Sequence, residues 1–127
     1  MELKDYQEKA MTTCMESSNN FAYMSLNLVG EVGEFASKVA KAIRKKEAFF
    51  VGQKLAYDKK YEDDLKKEAG DILWQLSGLC TVMGWSLEEV AQMNLDKLAA
   101  RQAIGTIDGS GDGIVRETAQ GVYETIY

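Results

Sequence analysis

The sequence predicts an all-α fold, an antiparallel four-helix bundle with a long second helix and an irregular C-terminal tail. Three observations carry this. Apolar residues recur at helical spacing from Leu3 to about residue 103. Turn-forming residues interrupt that spacing at Ser17-Ser18-Asn19-Asn20, at Gly84 and again from Gly105 onward. Proline is absent, and no repeat or linker divides the chain. The 127 residues are expected to form one domain, 1–127, with core helices over about 3–103 and a Gly-rich tail over 104–127.

In order, the first helix is expected over residues 3 to about 16, with Leu3, Tyr6, Ala10, Met11 and Cys14 on one face. The polar run after it ends that helix and supplies an Asn cap for the second helix, about 20 to 46. That helix ends in Arg44-Lys45-Lys46, cations that complement the helix dipole. Residues 47 to 60 hold Phe49, Phe50, Val51, Leu55 and Tyr57 without a long helical period. They read as an apolar loop covered by the core or a partner subunit, or else as a lid over a bound base. The third helix runs from about 61 to 83 and stops at Gly84. Ser86-Leu87-Glu88-Glu89 then opens a fourth, continuing to about 103. After Gly105 the chain is turn-rich and not helical, and Ile114-Val115 and the residues beyond them suit a short strand, a short helix or a loosely held arm.

Composition excludes several function classes. A formal charge of −5 argues against a nucleic-acid polymer as partner, which needs a basic face. No stretch approaches the roughly 20 apolar residues of a membrane span, and no leader-like run opens the chain, so a cytoplasmic protein is expected. Cys14 and Cys80 read as packed, reduced thiols. There is no histidine, which removes Ser-His-Asp and Cys-His catalysis, His-bearing zinc sites and Glu-x-x-His di-iron bundles.

The acidic residues are patterned. Glu31 and Glu34, and again Glu68 and Asp71, stand three apart, about 60° around a helix and one turn along it. On the second helix Phe21, Met24, Leu28, Val32, Phe35, Val39 and Ile43 form an apolar stripe, with Asn27, Glu31, Glu34 and Lys38 in a wedge along one edge. On the third the stripe is Leu65, Ala69, Ile72, Leu76, Leu79 and Met83, and the wedge is Asp64, Glu68, Asp71 and Gln75. Packed stripe to stripe, two such helices bring four carboxylates together at the edge of a core, where a divalent cation offsets their repulsion. An all-oxygen ligand set suits Mg²⁺, with Mn²⁺ as its substitute. Yet roughly three acidic pairs at this spacing arise by chance among 20 acidic residues. Pattern alone leaves salt-bridged, solvated helices open beside a shared metal site.

Glu31-Val32-Gly33-Glu34 followed by Glu68-Ala69-Gly70-Asp71 resembles the signature of the MazG-like all-α nucleoside triphosphate pyrophosphohydrolases. The likeness extends to Tyr6-Gln7, to Gly84-Trp85-Ser86-Leu87-Glu88-Glu89-Val90, to Asn94-Leu95-Asp96-Lys97-Leu98 with Arg101, and to Gly109-Ser110-Gly111-Asp112. Residues 47–60 match no family motif.

The resemblance implies Mg²⁺-dependent hydrolysis of a nucleoside triphosphate between its α and β phosphates, with Glu31, Glu34, Glu68 and Asp71 as metal ligands and one of them as general base. Lys38, Lys97 and Arg101 are the candidates for the triphosphate and Asn94 for sugar or phosphate. Competing with these roles are an i,i+4 salt bridge from Lys38 to Glu34 and a polar core position for Asn94. Phe21, Tyr23, Phe35, Trp74 and Trp85 read as core rather than as a base platform. The resemblance, the long second helix and the apolar loop imply a homodimer or homotetramer. The alternative function is a non-catalytic helical module binding a nucleotide or a protein.

Overall fold

A computed structural model describes residues 1–105 together with the strands at 114–117 and 123–126. The chain divides into two compact units, Met1–Leu87 and Glu88–Tyr127.

In the first unit, helix α1 covers Leu3–Met11, short of the expected residue 16. The Thr12 and Thr13 hydroxyls fold back on the Lys9 and Ala10 carbonyls at 2.6 and 2.7 Å, taking acceptors that a further helical turn would use. A single 3₁₀ turn, Glu16–Ser18, leads to α2, Phe21–Arg44. The Asn20 side chain caps α2 as expected, accepting from Tyr23 N at 2.8 Å. Helix α3 covers Lys60–Val82 and packs against both α1 and α2.

Polar groups join α1 to α3. The Trp74 indole donates to Ala10 O at 3.1 Å and to Thr13 Oγ1 at 2.9 Å, satisfying a carbonyl at the end of α1. Gln7 donates to Thr81 Oγ1 and Trp85 O, and its Oε1 accepts from Leu87 N at 2.8 Å. Between α2 and α3 the contact is closer. Met24 is fully buried with its sulfur and methyl against Gly78, where a Cβ would make the Met24 side chain shift.

The expected stripe-to-stripe packing is corrected in one respect. The buried residues of α3 are Glu68, Gln75, Ser77, Gly78 and Cys80, so the polar wedge itself enters the α2/α3 seam. The apolar stripe is only partly covered: Phe21, Val32, Ile43 and Met83 remain exposed. Stripe and wedge share the seam, with Met24 of the α2 stripe fully buried beside Gln75 of the α3 wedge.

Residues 47–60 are not a loop. Strands β1, Ala48–Val51, and β2, Lys54–Tyr57, form an antiparallel hairpin with Val51 opposite Lys54. The two-residue connection Gly52-Gln53 has Gly52 at φ +62°, the positive first position that a tight hairpin turn favours. Its root is held by Glu47, whose carboxylate takes Lys60 Nζ at 2.8 Å and a short hydrogen bond from the Tyr61 hydroxyl. Ala48 is buried there, while Phe49, Phe50 and Val51 at the tip are 60, 64 and 60 % exposed. Neither core nor lid contact covers them within this unit.

Helix α4, Leu87–Ala103, is at its expected place and, apart from Leu87, belongs to the second unit with strands β3, Ile114–Glu117, and β4, Tyr123–Ile126, paired antiparallel. Of the three options for the end of the chain, the strand holds. The turn-rich stretch 106–113, with the Gly109-Ser110-Gly111-Asp112 motif, lies outside the described residues. Among the described residues the fold is therefore mostly helical, with the β1/β2 hairpin and the antiparallel pair β3/β4, rather than purely α. Among the described residues no helix is long and apolar enough to cross a membrane.

Candidate metal centre

Four consecutive turns of α2 present Asn27, Glu31, Glu34 and Lys38, and the facing turns of α3 present Glu68, Asp71 and Gln75. One carboxylate oxygen each from Glu31, Glu68 and Asp71 lies within 4.8 Å of the others. Glu68 is 8 % exposed, Glu31 half-buried and Asp71 open to solvent, so the group runs from the seam to the surface. Glu34 is exposed and stands outside this triad.

The electrostatics are those of crowded anions. Burial raises the Glu31 carboxyl above its ordinary range, and the charges of Asp71, Glu34 and Glu68 raise it further; the Asn27 amide opposes them. Across the seam Lys38 Nζ lies 3.2 Å from Glu68 Oε1. Lys38 is thus ion-paired, as one reading of the sequence anticipated, but with Glu68 on the other helix rather than Glu34 on its own. Glu68 Oε2 is buried and has no hydrogen-bond partner among the described residues. A buried carboxylate oxygen left unpaired is costly, and a cation beside it removes the cost.

These residues fit a hard divalent cation. The donors are all oxygen, three of them lie within 4.8 Å of one another, and a buried Glu68 oxygen is left without a partner, a set that would suit a hard cation.

Asn94, Lys97 and Arg101 lie one turn apart along one face of α4 in the second unit, with Asn94 exposed and Lys97 and Arg101 half-buried. Within the first unit, sequence reasoning passed over three residues around the acid triad. Asn27 and Gln75 were placed in the wedges but given no role; they hydrogen-bond across the seam at 2.8 Å, with Asn27 also facing Glu31. Tyr6 of α1 has its hydroxyl pKa pushed up by burial and then by Asp71. A signal was present for the first two, since each is a polar residue one turn beyond a paired acid.

The MazG nucleotide pyrophosphohydrolase domain matches residues 19–104, more than half of the chain, and that range includes all four acids. The Gene 37 protein of Mycobacterium phage L5 is 37 % identical over 97 residues, which cover 76 % of this chain and 79 % of that protein. No solved structure gives a significant match. Three carboxylate oxygens converge between two helices that lie within the matched range, and the chain belongs to the MazG nucleotide pyrophosphohydrolase domain family.

Proposed function

We propose that this protein is a Mg²⁺-dependent nucleoside triphosphate pyrophosphohydrolase. It cleaves the α–β phosphate bond of a nucleoside or deoxynucleoside triphosphate to a monophosphate and pyrophosphate, in the clean-up or control of a cytoplasmic nucleotide pool. The observation that carries this reading is the oxygen triad of Glu31, Glu68 and Asp71, with Glu68 Oε2 buried and unpartnered, on two helices of a MazG domain. Glu31, Glu34, Glu68 and Asp71 would hold the metal, Mg²⁺ or Mn²⁺ in its place. When bound, the ion draws charge off the phosphorus and offsets the repulsion between phosphates and carboxylates.

The chain's own residues supply the rest. A water oxygen bonds to one phosphorus flanking the α–β bridge, the bond from that phosphorus to the bridging oxygen breaks, and its electron pair leaves with the departing phosphate group. The water's proton passes to a carboxylate. That acceptor would be one of Glu31, Glu34, Glu68 and Asp71, directly or through a bound water. Lys38, Lys97 and Arg101 are assigned to the triphosphate and Asn94 to sugar or phosphate. A homodimer or homotetramer is part of the proposal, supported by the exposed apolar residues of α2 and of the hairpin tip.

A panel of ribo- and deoxyribonucleoside triphosphates, assayed for pyrophosphate release with Mg²⁺ and with Mn²⁺, tests the reading. Release from at least one substrate is expected, and its loss in Glu34→Gln and in Asp71→Asn while helical circular dichroism is retained. Activity persisting in either variant would overturn that residue's assignment. Nucleotide binding without release would establish the binding module instead.

A further inference from the structure

We infer that Asn27 and Gln75 are positioning residues for the metal centre, a part-buried amide pair that joins α2 to α3 and holds the Glu31 carboxylate toward Glu68 and Asp71. The inference rests on the proposed metal-binding role of the acid triad. Asn27 Nδ2 donates to Gln75 Oε1 across the seam at 2.8 Å. The same nitrogen lies 3.4 Å from Glu31 Oε1, one turn further along α2, and 3.4 Å from the Tyr23 hydroxyl, one turn back. Oxygens on three sides fix which way the amide faces, because the reversed amide would set its own oxygen against those of Gln75 and Glu31.

Gln75 is only 2 % exposed, at a helix contact where a Met or Leu would pack without desolvating an amide. Its Nε2 gains little in return, with contacts of 3.5 Å to Met24 O and 3.6 Å to Met24 Sδ. What the buried glutamine does well is present Oε1 to Asn27. On the other side of Asn27, a Cβ built on Gly30 would stand 3.2 Å from Asn27 Oδ1, so the glycine leaves room for the amide as it is held.

Glu31 needs such a hold. Asp71, Glu34 and Glu68 all repel it, and an unrestrained carboxylate would rotate outward to solvent. Among the described residues, the hydrogen-bond donor that reaches Glu31 is Asn27, and Asn27 is anchored by Gln75. Outer-shell partners of this kind set ligand geometry, and their loss typically weakens metal binding 10- to 100-fold.

The test is Mn²⁺ affinity, read from the electron paramagnetic resonance signal of free Mn²⁺ in titrations of the metal-free full chain. Wild type, Asn27→Ala, Gln75→Met and the double variant are compared, and melting of each metal-free protein is followed by circular dichroism. Each single change is expected to weaken Mn²⁺ about tenfold. The double variant should lose no more than Asn27→Ala, since both changes act through one contact. Gln75→Met conserves volume and should melt at or above the wild-type temperature, a split between affinity and stability that a merely structural role would not give. Should Asn27→Ala fail to fold, Gln75→Met decides alone. Variants binding Mn²⁺ within twofold of wild type, or losses that add in the double, would overturn the positioning role. A wild-type chain that binds no Mn²⁺ would overturn the metal-centre reading beneath it.

Discussion

Two places in the first unit invert the usual sorting of side chains, and they do so in opposite directions. In the α2/α3 seam a carboxylate, Glu68, is buried. At the hairpin tip, Phe49, Phe50 and Val51 stand in solvent. The two inversions differ in cost. Burying a charge without a partner is expensive, so the seam depends on Lys38 now and on a divalent cation in the proposed active state. Leaving an aromatic exposed merely forgoes its burial, so the hairpin tip places no strain on the chain that carries it. The seam depends on a cation; the hairpin does not depend on a cover.

The largest effect on stability should therefore come from Lys38→Met, which strands Glu68 beside Asp71 and Glu31. A fully buried pair broken in this way costs several kcal/mol, but the Lys38 side chain is 38 % exposed and solvent screens it. The expected loss is about 1–2 kcal/mol in metal-free protein, a fall in Tm of several degrees. Saturating Mg²⁺ or Mn²⁺ should recover most of it. A variant that melts with wild type in the absence of metal would show that the seam does not depend on a cation.

Next comes the root of the hairpin, an exposed ion pair that behaves unlike the seam. Lys60 first, and then the Tyr61 hydroxyl, hold the Glu47 carboxyl below its ordinary range, and Glu47 in turn raises the Lys60 amine and the Tyr61 hydroxyl. A depressed carboxyl stabilises the fold above its unfolded pKa of about 4.3, and that contribution is lost as pH falls through the depressed value. A raised amine stabilises below about 10.4, and its contribution is lost as pH rises through the raised value. The Tm gap between wild type and Glu47→Gln should stay positive and flat between these limits and close beyond the acidic one. A gap that widened on acidification would reverse the assignment.

Legibility in the sequence followed the same division. The acid pairs were readable because helical periodicity projects residues three apart onto one side, whatever packs there. Which side would be buried was not readable, since stripe and wedge adjoin and only the partner helix decides. The hairpin was missed because its strands are four residues each and its turn is Gly-Gln rather than Asn-Gly or Asp-Gly. Helix ends show the limit most plainly. After α3, Trp85 N bonds to Cys80 O at 2.8 Å and Gly84 N to Thr81 O at 3.1 Å, with Gly84 at φ +73°, so a glycine marks the stop in the sequence. After α2, Glu47 N bonds to Ala42 O at 2.8 Å and Lys46 N to Ile43 O at 3.0 Å, with Lys46 at φ +60°. The same motif is built on a lysine, which carries no signal. Lys46→Gly should therefore stabilise the chain. Left-handed backbone costs a lysine about 1–2 kcal/mol, and the entropy glycine loses on folding returns roughly half, leaving a gain of about 0.5 kcal/mol by chemical denaturation. A destabilised variant would mean that the lysine side chain makes a contact worth more than the strain.

The smallest change in stability is expected where the apolar exposure is greatest. Replacing Phe49 and Phe50 by serine removes side chains that touch little within their own unit, so the isolated chain should shift by no more than about 0.5 kcal/mol. The same pair of changes should act strongly on assembly under the proposed homo-oligomer, because two phenyl rings that a second copy covers would each withdraw on the order of 100 Å² from water. Light scattering coupled to size exclusion separates the two effects: a lower mass with unchanged helix content is expected, and an unchanged mass would detach the hairpin from the assembly. The contrast with Lys38→Met is then complete. The single substitution disturbs the fold and is rescued by an ion, and the pair leaves the fold alone and is felt only where a second chain is present.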